Sequence, residues 1–258
     1  MRVRLIVMAA LAAAAAFGAC TQVGTDPNVV VSLAFDSLPY PAVVAGDTLR
    51  DENGVARALH ASALNSSGKE VAGAPVQYLV LDSAVTVTSG GFVVSTDTSK
   101  RSAHVLAQVG TLQSRTVTIV VTPRPDSLAA AGTVDTVRYV LADNTTQISA
   151  PITLQIVSRT PTTPAPVGGW IVRFSVAYHG VTLPANDAAT AWLVDESSRR
   201  SQEETTASDG TASRRLRFVA AAMAAGVADS LEVTATAIAR GAPLAGSPVK
   251  VVIHVAPR

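Results

Sequence analysis

The chain of 258 residues contains one cysteine and few aromatic or charged residues. These shortages exclude several kinds of site and partner. A single cysteine, Cys20, cannot form a disulfide within the chain or a multi-thiolate metal site. Aromatic residues make up 4% of the sequence and charged residues 15%. The formal net charge of +1 argues against nucleic-acid binding, which needs clustered Lys and Arg to neutralise phosphates. Apolar residues reach 48%, enough for a sizeable core.

Motifs of the common enzyme classes are also missing. The sequence contains no Gly-x-Ser-x-Gly elbow, phosphate-binding loop or dinucleotide fingerprint. Adjacent carboxylates occur, but neighbouring residues of a strand point to opposite faces and rarely converge. These pairs are Asp51-Glu52, Asp195-Glu196 and Glu203-Glu204. We therefore expect no catalytic residues, no cofactor and a non-enzymatic function, with a hydrolase only if two carboxylates meet in a cleft.

The histidines are not at metal-ligand spacing, and we interpret them as surface or strand-face residues. They are His60, His104, His179 and His254. We expect no metal site, although calcium at a domain boundary would use carboxylates and carbonyls. The carboxylates nearest to such a boundary are Asp126, Asp135 and Asp143.

Two tryptophans and two arginine pairs leave alternatives open. Trp170 and Trp192 lie on alternating strands, where an indole belongs to the core, but an exposed pair would form a stacking platform for sugar. Arg199-Arg200 and Arg214-Arg215 are typical of a solvated face, with a partner surface as the alternative.

The leading segment has the pattern of an export signal. Arg2 and Arg4 precede an unbroken run of apolar and small residues from Leu5 to Ala19. This run is shorter than the roughly 20 residues of a spanning helix and suits a cleaved signal. Phe17-Gly18-Ala19-Cys20 resembles the lipobox of bacterial lipoproteins. An ordinary secretory signal with an incidental cysteine is the alternative.

The resemblance implies that cleavage follows Ala19 and that Cys20 carries lipid. Several acyl chains on one residue anchor a protein stably, because each buried methylene contributes about 0.8 kcal/mol. Thr21 follows, where aspartate would have indicated retention in the inner membrane, so the outer membrane of a Gram-negative cell is favoured. Without Arg2 and Arg4, 18 basic residues face 19 acidic ones, a charge of −1.

The rest of the chain predicts many short strands separated by turns. Alternation is clearest at 103–109, 116–121, 170–176, 190–194 and 230–237. Strands of this length at short, even spacing predict a β-sandwich or barrel. Val219 to Gly226, rich in alanine, is the exception, and its propensity favours a short helical turn.

Both halves resemble bacterial immunoglobulin-like domains of the invasin and intimin type. Residues 29–121 resemble the group 2 form through Gly46-Asp47-Thr48, Asn65 to Gly68, Val76-Gln77-Tyr78 and Gly90-Gly91. The stretch from Asp51 to Arg57 is longer than that pattern. Residues 152–255 resemble the group 1 form through Arg173 to Val176, Asp209 to Ala212 and Val233 to Ala237.

The sequence thus predicts an all-β protein, with two tandem Ig-like β-sandwiches after an N-terminal helical signal peptide. The expected divisions are a signal at 1–19, a tether at 20–28, a sandwich at 29–121 and a second at 150–258. Residues 122–149 are either a linker or extra strands of the second domain. The predicted function is a lipid-anchored structural stalk or protein-binding module of the cell envelope, with a carbohydrate-binding lipoprotein as the alternative. The expected membrane partner acts through lipid on Cys20, and a protein or polysaccharide partner stays open.

Overall fold

The computed structural model describes residues 26–96, 101–132, 136–140, 146–159, 163–223 and 227–258. Their regular structure is β-strand apart from one short 3-10 turn, so the predicted all-β fold class is confirmed. The signal segment, including the lipobox at Phe17–Cys20, lies outside the described residues.

The described strands fall into two groups along the chain. The first group comprises β1 (Ser32–Ser37), β2 (Ala42–Val44), β3 (His60–Leu64), β4 (Gln77–Val80), β5 (Val85–Val87), β6 (Val93–Ser95), β7 (Arg101–Val109), β8 (Leu112–Gln113) and β9 (Val117–Thr122). The second begins with β10 (Ser127–Ala130), β11 (Val137–Tyr139), β12 (Thr146–Ile148), β13 (Ile152–Ser158), β14 (Ala165–Pro166), β15 (Ile171–Tyr178) and β16 (Val181–Thr182). It continues with β17 (Ala191–Val194), β18 (Glu203–Thr205), β19 (Thr211–Val219), β20 (Asp229–Thr236), β21 (Ile238–Ala239), β22 (Ala242–Pro243) and β23 (Val249–Pro257). Within the described residues, no strand of one group pairs with a strand of the other.

The second group has the strand order of an immunoglobulin sandwich. One sheet contains β10, β13, β19 and β17 as neighbours, which corresponds to the order A-B-E-D. The other contains β15, β20 and β23, the order C-F-G, and β11 adds to β23 in parallel. We call this unit the second sandwich.

The first group repeats this plan with shorter strands. β4, β7 and β9 form the C-F-G sheet, and β2 adds to β9 in parallel, as β11 does to β23. β1 pairs with β3, and β5 pairs with β6. The Phe35 ring on β1 contacts the Tyr78 ring on β4 edge to face, with centroids 5.9 Å apart, so the two layers pack together. We call this unit the first sandwich.

Alternating side chains build the core, as the sequence predicts. On β13, Ile152, Leu154 and Ile156 are buried, while the residues between them are half-exposed. On β15, Val172, Phe174 and Val176 are buried in the same way and face them across the sandwich. Burial of each such side chain contributes about 1.5–3 kcal/mol.

The structure describes parts of two ambiguous segments. Residues 122–149 contain β10, β11 and β12, which pair with β13, β23 and β19 respectively. The alanine-rich segment after β19 forms a 3-10 turn at Ala220–Ala222, in agreement with the predicted helical turn, and residues 224–226 lie outside the described part.

Candidate functional site at the junction between the sandwiches

An aromatic contact joins the two sandwiches. Tyr40 lies in the short connection between β1 and β2, between bends at Pro39 and Pro41, and the centroid of its ring is 4.7 Å from that of the Trp170 ring. Both residues are buried. The Ile171 N–H donates to the Tyr40 hydroxyl oxygen at 2.9 Å. Burial raises the pKa of Tyr40 above its ordinary value, so the hydroxyl stays protonated over the physiological range.

Trp170 is fixed in place by hydrogen bonds to other residues of the second sandwich. Its indole Nε1–H donates to the Ile238 carbonyl at 2.9 Å, and its backbone N–H donates to the Thr206 hydroxyl at 2.9 Å. That hydroxyl donates to the Val167 carbonyl at 2.7 Å. The indole is therefore oriented by its own sandwich and presented to Tyr40.

The backbones approach closely at two glycines. Gly169 has a φ of +77°, and a Cβ there would lie 2.8 Å from Val120 Cβ and 3.0 Å from Ala42 Cβ. Gly54 has a φ of +80°, and a Cβ there would lie 2.7 Å from Arg240 Cα. Glycine meets both requirements, positive φ and the absence of a side chain.

Charged side chains cross the junction beside these contacts. Arg173 on β15 pairs with Glu52 of the first sandwich, and its Nε donates to Glu203 at 2.7 Å. The hydrogen bond to Glu52 raises the pKa of Arg173, against the opposing effect of burial. The Gly241 N–H also donates to the Glu52 carbonyl at 3.0 Å.

Asp47 receives two arginines from different sandwiches. Arg240 of the second sandwich pairs with the Asp47 carboxylate, and Arg50 Nη2 of the first sandwich lies 3.2 Å from Asp47 Oδ1. Burial acts to raise its pKa, but hydrogen bonds from Arg50, the Thr48 N–H and Arg240 outweigh it and hold the pKa of Asp47 below its usual value. The carboxylate is therefore charged at neutral pH and attracts both arginines.

Together these contacts connect two separate sheet systems through one buried cluster. The buried apolar side chains of both sandwiches form a continuous set that passes through Tyr40, Ala42 and Trp170. Aromatic packing, hydrogen bonds to backbone groups and ion pairs thus occur together at one place between the sandwiches.

The predicted lipidation residue and the calcium candidates are largely beyond the described structure. Cys20, Asp135 and Asp143 lie outside the described residues. Asp126 is described, and its carboxylate accepts the Arg159 N–H at 2.7 Å. Within the described ranges, no three side chains that could hold a metal ion cluster together.

The two tryptophans have different environments. Trp170 is buried, as expected of a core indole, although it packs at the junction and borders a pocket of about 310 Å³. Trp192 is half-buried, and the Arg200 guanidinium lies 4.5 Å above its ring. Arg200 also donates to the Asp187 carbonyl at 2.9 Å, which holds it over the ring. The two indoles do not combine into a stacking platform.

The prediction of a solvated arginine face is wrong for Arg214. Its side chain is only 3% exposed and pairs with Glu204. Its Nη2 donates to the Ser201 hydroxyl at 3.0 Å, and Nη1 donates to the Ser213 carbonyl at 2.9 Å. Burial lowers the pKa of Arg214, opposed by the charges of Asp195 and Glu196. Arg199 and Arg215 are exposed, as predicted.

Members of two of the acidic pairs line one depression of the described structure. Asp195, Glu196 and Glu204 border a depression of about 380 Å³ beside Arg214. Hydrogen bonds from the Arg199 backbone and side chain hold the pKa of Asp195 low, against the effect of burial. Glu204 pairs with Arg214.

Three histidines face aspartates at the surface, an arrangement that their spacing along the chain does not indicate. His104 Nδ1 lies 2.8 Å from Asp82, and His179 Nε2 lies 3.1 Å from Asp229. His60 pairs with Asp36. All three imidazoles are exposed or half-exposed, in agreement with the surface interpretation.

The junction is the feature that sequence reasoning missed. One signal was available, because the stretch from Asp51 to Arg57 is longer than the resembled pattern and includes Glu52, Asn53 and Gly54, which contact the second sandwich. Nothing in the sequence identifies their partners at Arg173, Arg240 and Gly241.

Among the described residues, no helix is long and apolar enough to cross a membrane. No protein-family model and no curated relative matches the chain.

Solved structures resemble the chain weakly over most of its length. The Yersinia pseudotuberculosis adhesin InvE is 14% identical with a TM-score of 0.32, covering 89% of this chain and 61% of the adhesin. Domains 1–6 of surface layer protein SbsC are 15% identical with a TM-score of 0.30, covering 88% and 27% respectively. The EC1–4 domains of Drosophila N-cadherin are 12% identical with a TM-score of 0.31, covering 90% and 51%. The chain thus covers less than two thirds of each of these structures, and their partners are not evidence about this protein.

Proposed function

We propose that the chain is an exported, lipid-anchored protein of the cell envelope whose two Ig-like sandwiches act as a stiff, non-enzymatic spacer. The domains run from 29 to 121 and from 150 to 258, with residues 122–149 contributing strands to the second. The spacer holds its outer end at a fixed distance and angle from the membrane. Loops at the ends of the sandwiches then present a binding surface to a protein partner.

The contact between Tyr40 and Trp170 is the observation that carries this proposal. Neighbouring domains move relative to one another by default unless their interface is large and apolar. Here the buried aromatic pair, the close approach at Gly169 and the ion pairs of Arg173 and Arg240 act together. A protein that needed a flexible hinge would have no use for this combination.

The anchor at Cys20 is supported by the sequence alone. A positively charged start, an apolar run too short to span a bilayer and the lipobox-like Phe17 to Cys20 together favour a lipoprotein. Thr21 favours the outer membrane. The invasin and intimin type of the two domains likewise rests on the sequence resemblance.

The absence of enzymatic activity is supported by the way the charged groups are used. Arg173, Arg214 and Asp47 are all engaged with other residues of the chain. Polar groups of an active site are instead aimed at the space that a substrate occupies.

Scattering from the full-length protein in detergent tests the spacer role. We expect the wild-type profile to fit one extended arrangement of the two sandwiches, and a Trp170→Ala variant to need a broad range of arrangements. A wild-type profile as broad as that of the variant would refute the stiff spacer.

Intact mass of the protein extracted from membranes tests the anchor. We expect a mature chain that begins at Cys20 and carries the mass of a diacylglyceryl group and an additional acyl chain. The control Cys20→Ser should carry no acyl mass and should leave the membrane fraction. An unmodified wild-type chain would disprove lipidation.

A further inference from the structure

Strand β4 leaves one edge of the first sandwich open. It pairs with β7 on one side, with Tyr78 opposite Ala107 and Leu79 opposite Leu106. Ala107 directs its backbone away from β4, because its carbonyl accepts the Ser114 N–H at 2.9 Å and its N–H donates to the Ser114 hydroxyl at 2.9 Å. Hydrogen-bonded and non-hydrogen-bonded pairs alternate along an antiparallel ladder. The N–H and C=O groups of Leu79 therefore point to β7 and bond to Leu106.

The same alternation points the N–H and C=O groups of Tyr78 and Val80 towards the open edge. The bond from the Leu81 N–H to the His104 carbonyl at 2.9 Å fits this register. Within the described residues, the backbone groups of Tyr78 and Val80 bond to nothing on that side. Four main-chain groups thus form an unpaired template for another strand.

The second sandwich shows that a strand fits this position. Its corresponding C strand is β15, and β18 covers the edge of β15 in antiparallel register, with Val172 opposite Glu204. β18 lies between β17 and β19, and the corresponding segment of the first sandwich is residues 88–92 between β5 and β6, a tight turn in which the Thr88 N–H donates to the Phe92 carbonyl at 2.9 Å. Residues 81–84 between β4 and β5 are also too short to supply such a strand. The edge of β4 therefore stays open for a strand from outside the chain.

The edge of β4 is complementary to itself. A two-fold axis at Leu79 places Tyr78 of one copy opposite Val80 of the other, so that both pairs exchange N–H···O bonds and four main-chain hydrogen bonds form. We propose that two copies of this protein pair through β4 in antiparallel register, centred on Leu79, to give a continuous sheet across the dimer.

The side chains of β4 suit this pairing. Tyr78 and Val80 point inwards and pack against the core, while Leu79 and Leu81 point outwards and are 37% and 59% exposed. In the paired sheet the two copies of Leu79 become direct neighbours on the outer face. The strand itself, Gln77–Val80, carries no charged side chain that would oppose a like charge across the axis.

The contact is small, because each copy contributes a strand of four residues. Stable complexes bury roughly 1,200 Å² or more, so we expect weak, concentration-dependent pairing in solution. Confinement on a membrane would strengthen it by raising the effective concentration. The pairing does not depend on the proposed anchor or on a stiff junction.

Cysteine cross-linking of the full-length protein in detergent tests the register. In a non-hydrogen-bonded antiparallel pair, opposite Cβ atoms lie about 4.5–5.5 Å apart, so Leu79→Cys should form a disulfide-linked dimer on mild oxidation. Leu81→Cys is the matched control, because the two copies of residue 81 would be separated by about 13 Å, four residues along the strands. We expect Leu79→Cys to dimerise about tenfold faster than Leu81→Cys. The wild-type protein, whose only cysteine is Cys20, shows how much disulfide-linked dimer forms through that residue.

Random collision predicts the opposite order, because Leu81 is the more exposed residue. Equal rates, a faster rate for Leu81→Cys or no dimer for either variant would overturn the proposal. Adding Val80→Pro to Leu79→Cys removes an N–H that points to the open edge and not to β7. The double variant should lose the cross-link while keeping the circular dichroism spectrum of the single variant.

Discussion

Tyr40 accepts a hydrogen bond from the N–H of Ile171 at 2.9 Å while its ring packs on Trp170. One side chain of the first sandwich thus makes both an apolar contact and a hydrogen bond with the second. The segment that carries Tyr40 lies between two strands that belong to opposite sheets, β1 and β2. The crossing of the chain from one sheet to the other thus supplies the central contact of the junction.

Removal of the Tyr40 hydroxyl should weaken the junction without a change of shape. Tyr40→Phe leaves the Ile171 N–H without an acceptor, and a buried unpaired donor costs about 1–3 kcal/mol. Tyr78→Phe is the control, since its hydroxyl donates to the Leu59 carbonyl at 2.9 Å from a half-buried position. We expect urea unfolding to show a larger loss of unfolding free energy for Tyr40→Phe. A loss equal to or smaller than that of the control would refute the role of this bond.

The close approach at Gly169 makes a second prediction. Gly169→Ala and Gly180→Ala both place a side chain at a positive φ, +77° and +79° respectively. Only the first also meets neighbours, at Val120 and Ala42, while nothing lies within 4 Å of a Cβ at Gly180. Overpacking adds about 1–3 kcal/mol to the shared backbone cost. Thermal unfolding should show Gly169→Ala as the less stable variant, and equal stability would mean that the sandwiches are not in contact there.

The fold was largely predictable because period-2 alternation and turn residues are local signals. Residues 170–176 and 230–237, for example, form strands close to where alternation puts them. The junction was not predictable, because Glu52 and Arg173 are far apart in sequence and each looks like an ordinary surface charge. Arg214 was misassigned for a related reason, since its neighbour Arg215 is exposed and the contacts of Arg214 with Ser201 and Glu204 depend on the tertiary fold.

The two neighbouring arginines on β19 offer a matched pair for the third prediction. Arg215→Met should change the unfolding free energy by less than about 0.5 kcal/mol, as is usual for an exposed site. Arg214→Met removes the ion-pair partner of Glu204 and the donor to the Ser213 carbonyl and the Ser201 hydroxyl. Loss of one member of a buried ion pair costs about 3–5 kcal/mol, a figure that should be smaller here because Glu204 is 34% exposed. Equal effects of the two substitutions in chemical denaturation would contradict the burial of Arg214.

Acid should weaken the junction by protonating Asp47. The folded pKa of Asp47 lies below its unfolded value of about 3.9, so its stabilising effect is present above that value and is lost as the pH falls through the folded pKa. We expect scattering to show the two sandwiches separating below about pH 4, as the attraction between Asp47 and Arg240 disappears. Asp47→Asn should show part of this separation already at neutral pH.

Asp209→Asn is the control for the acid experiment. Hydrogen bonds from Thr211 lower the pKa of Asp209 as well, but this residue lies on an exposed turn of the second sandwich. Asp209→Asn should behave like the wild type, with the sandwiches together at neutral pH and separated below about pH 4. Separation of Asp209→Asn at neutral pH to the same extent as Asp47→Asn would mean that the effect is general and not a property of the junction.

Spin-label distances between the far ends of the two sandwiches test the central claim most directly. Thr111 follows β7 at the end of the first sandwich away from the junction, and Val181 follows β15 at the corresponding end of the second. With labels at Thr111→Cys and Val181→Cys, the account predicts one narrow distance distribution that broadens when Trp170→Ala is added. A broad distribution in the protein with Trp170 intact would contradict a stiff two-sandwich spacer.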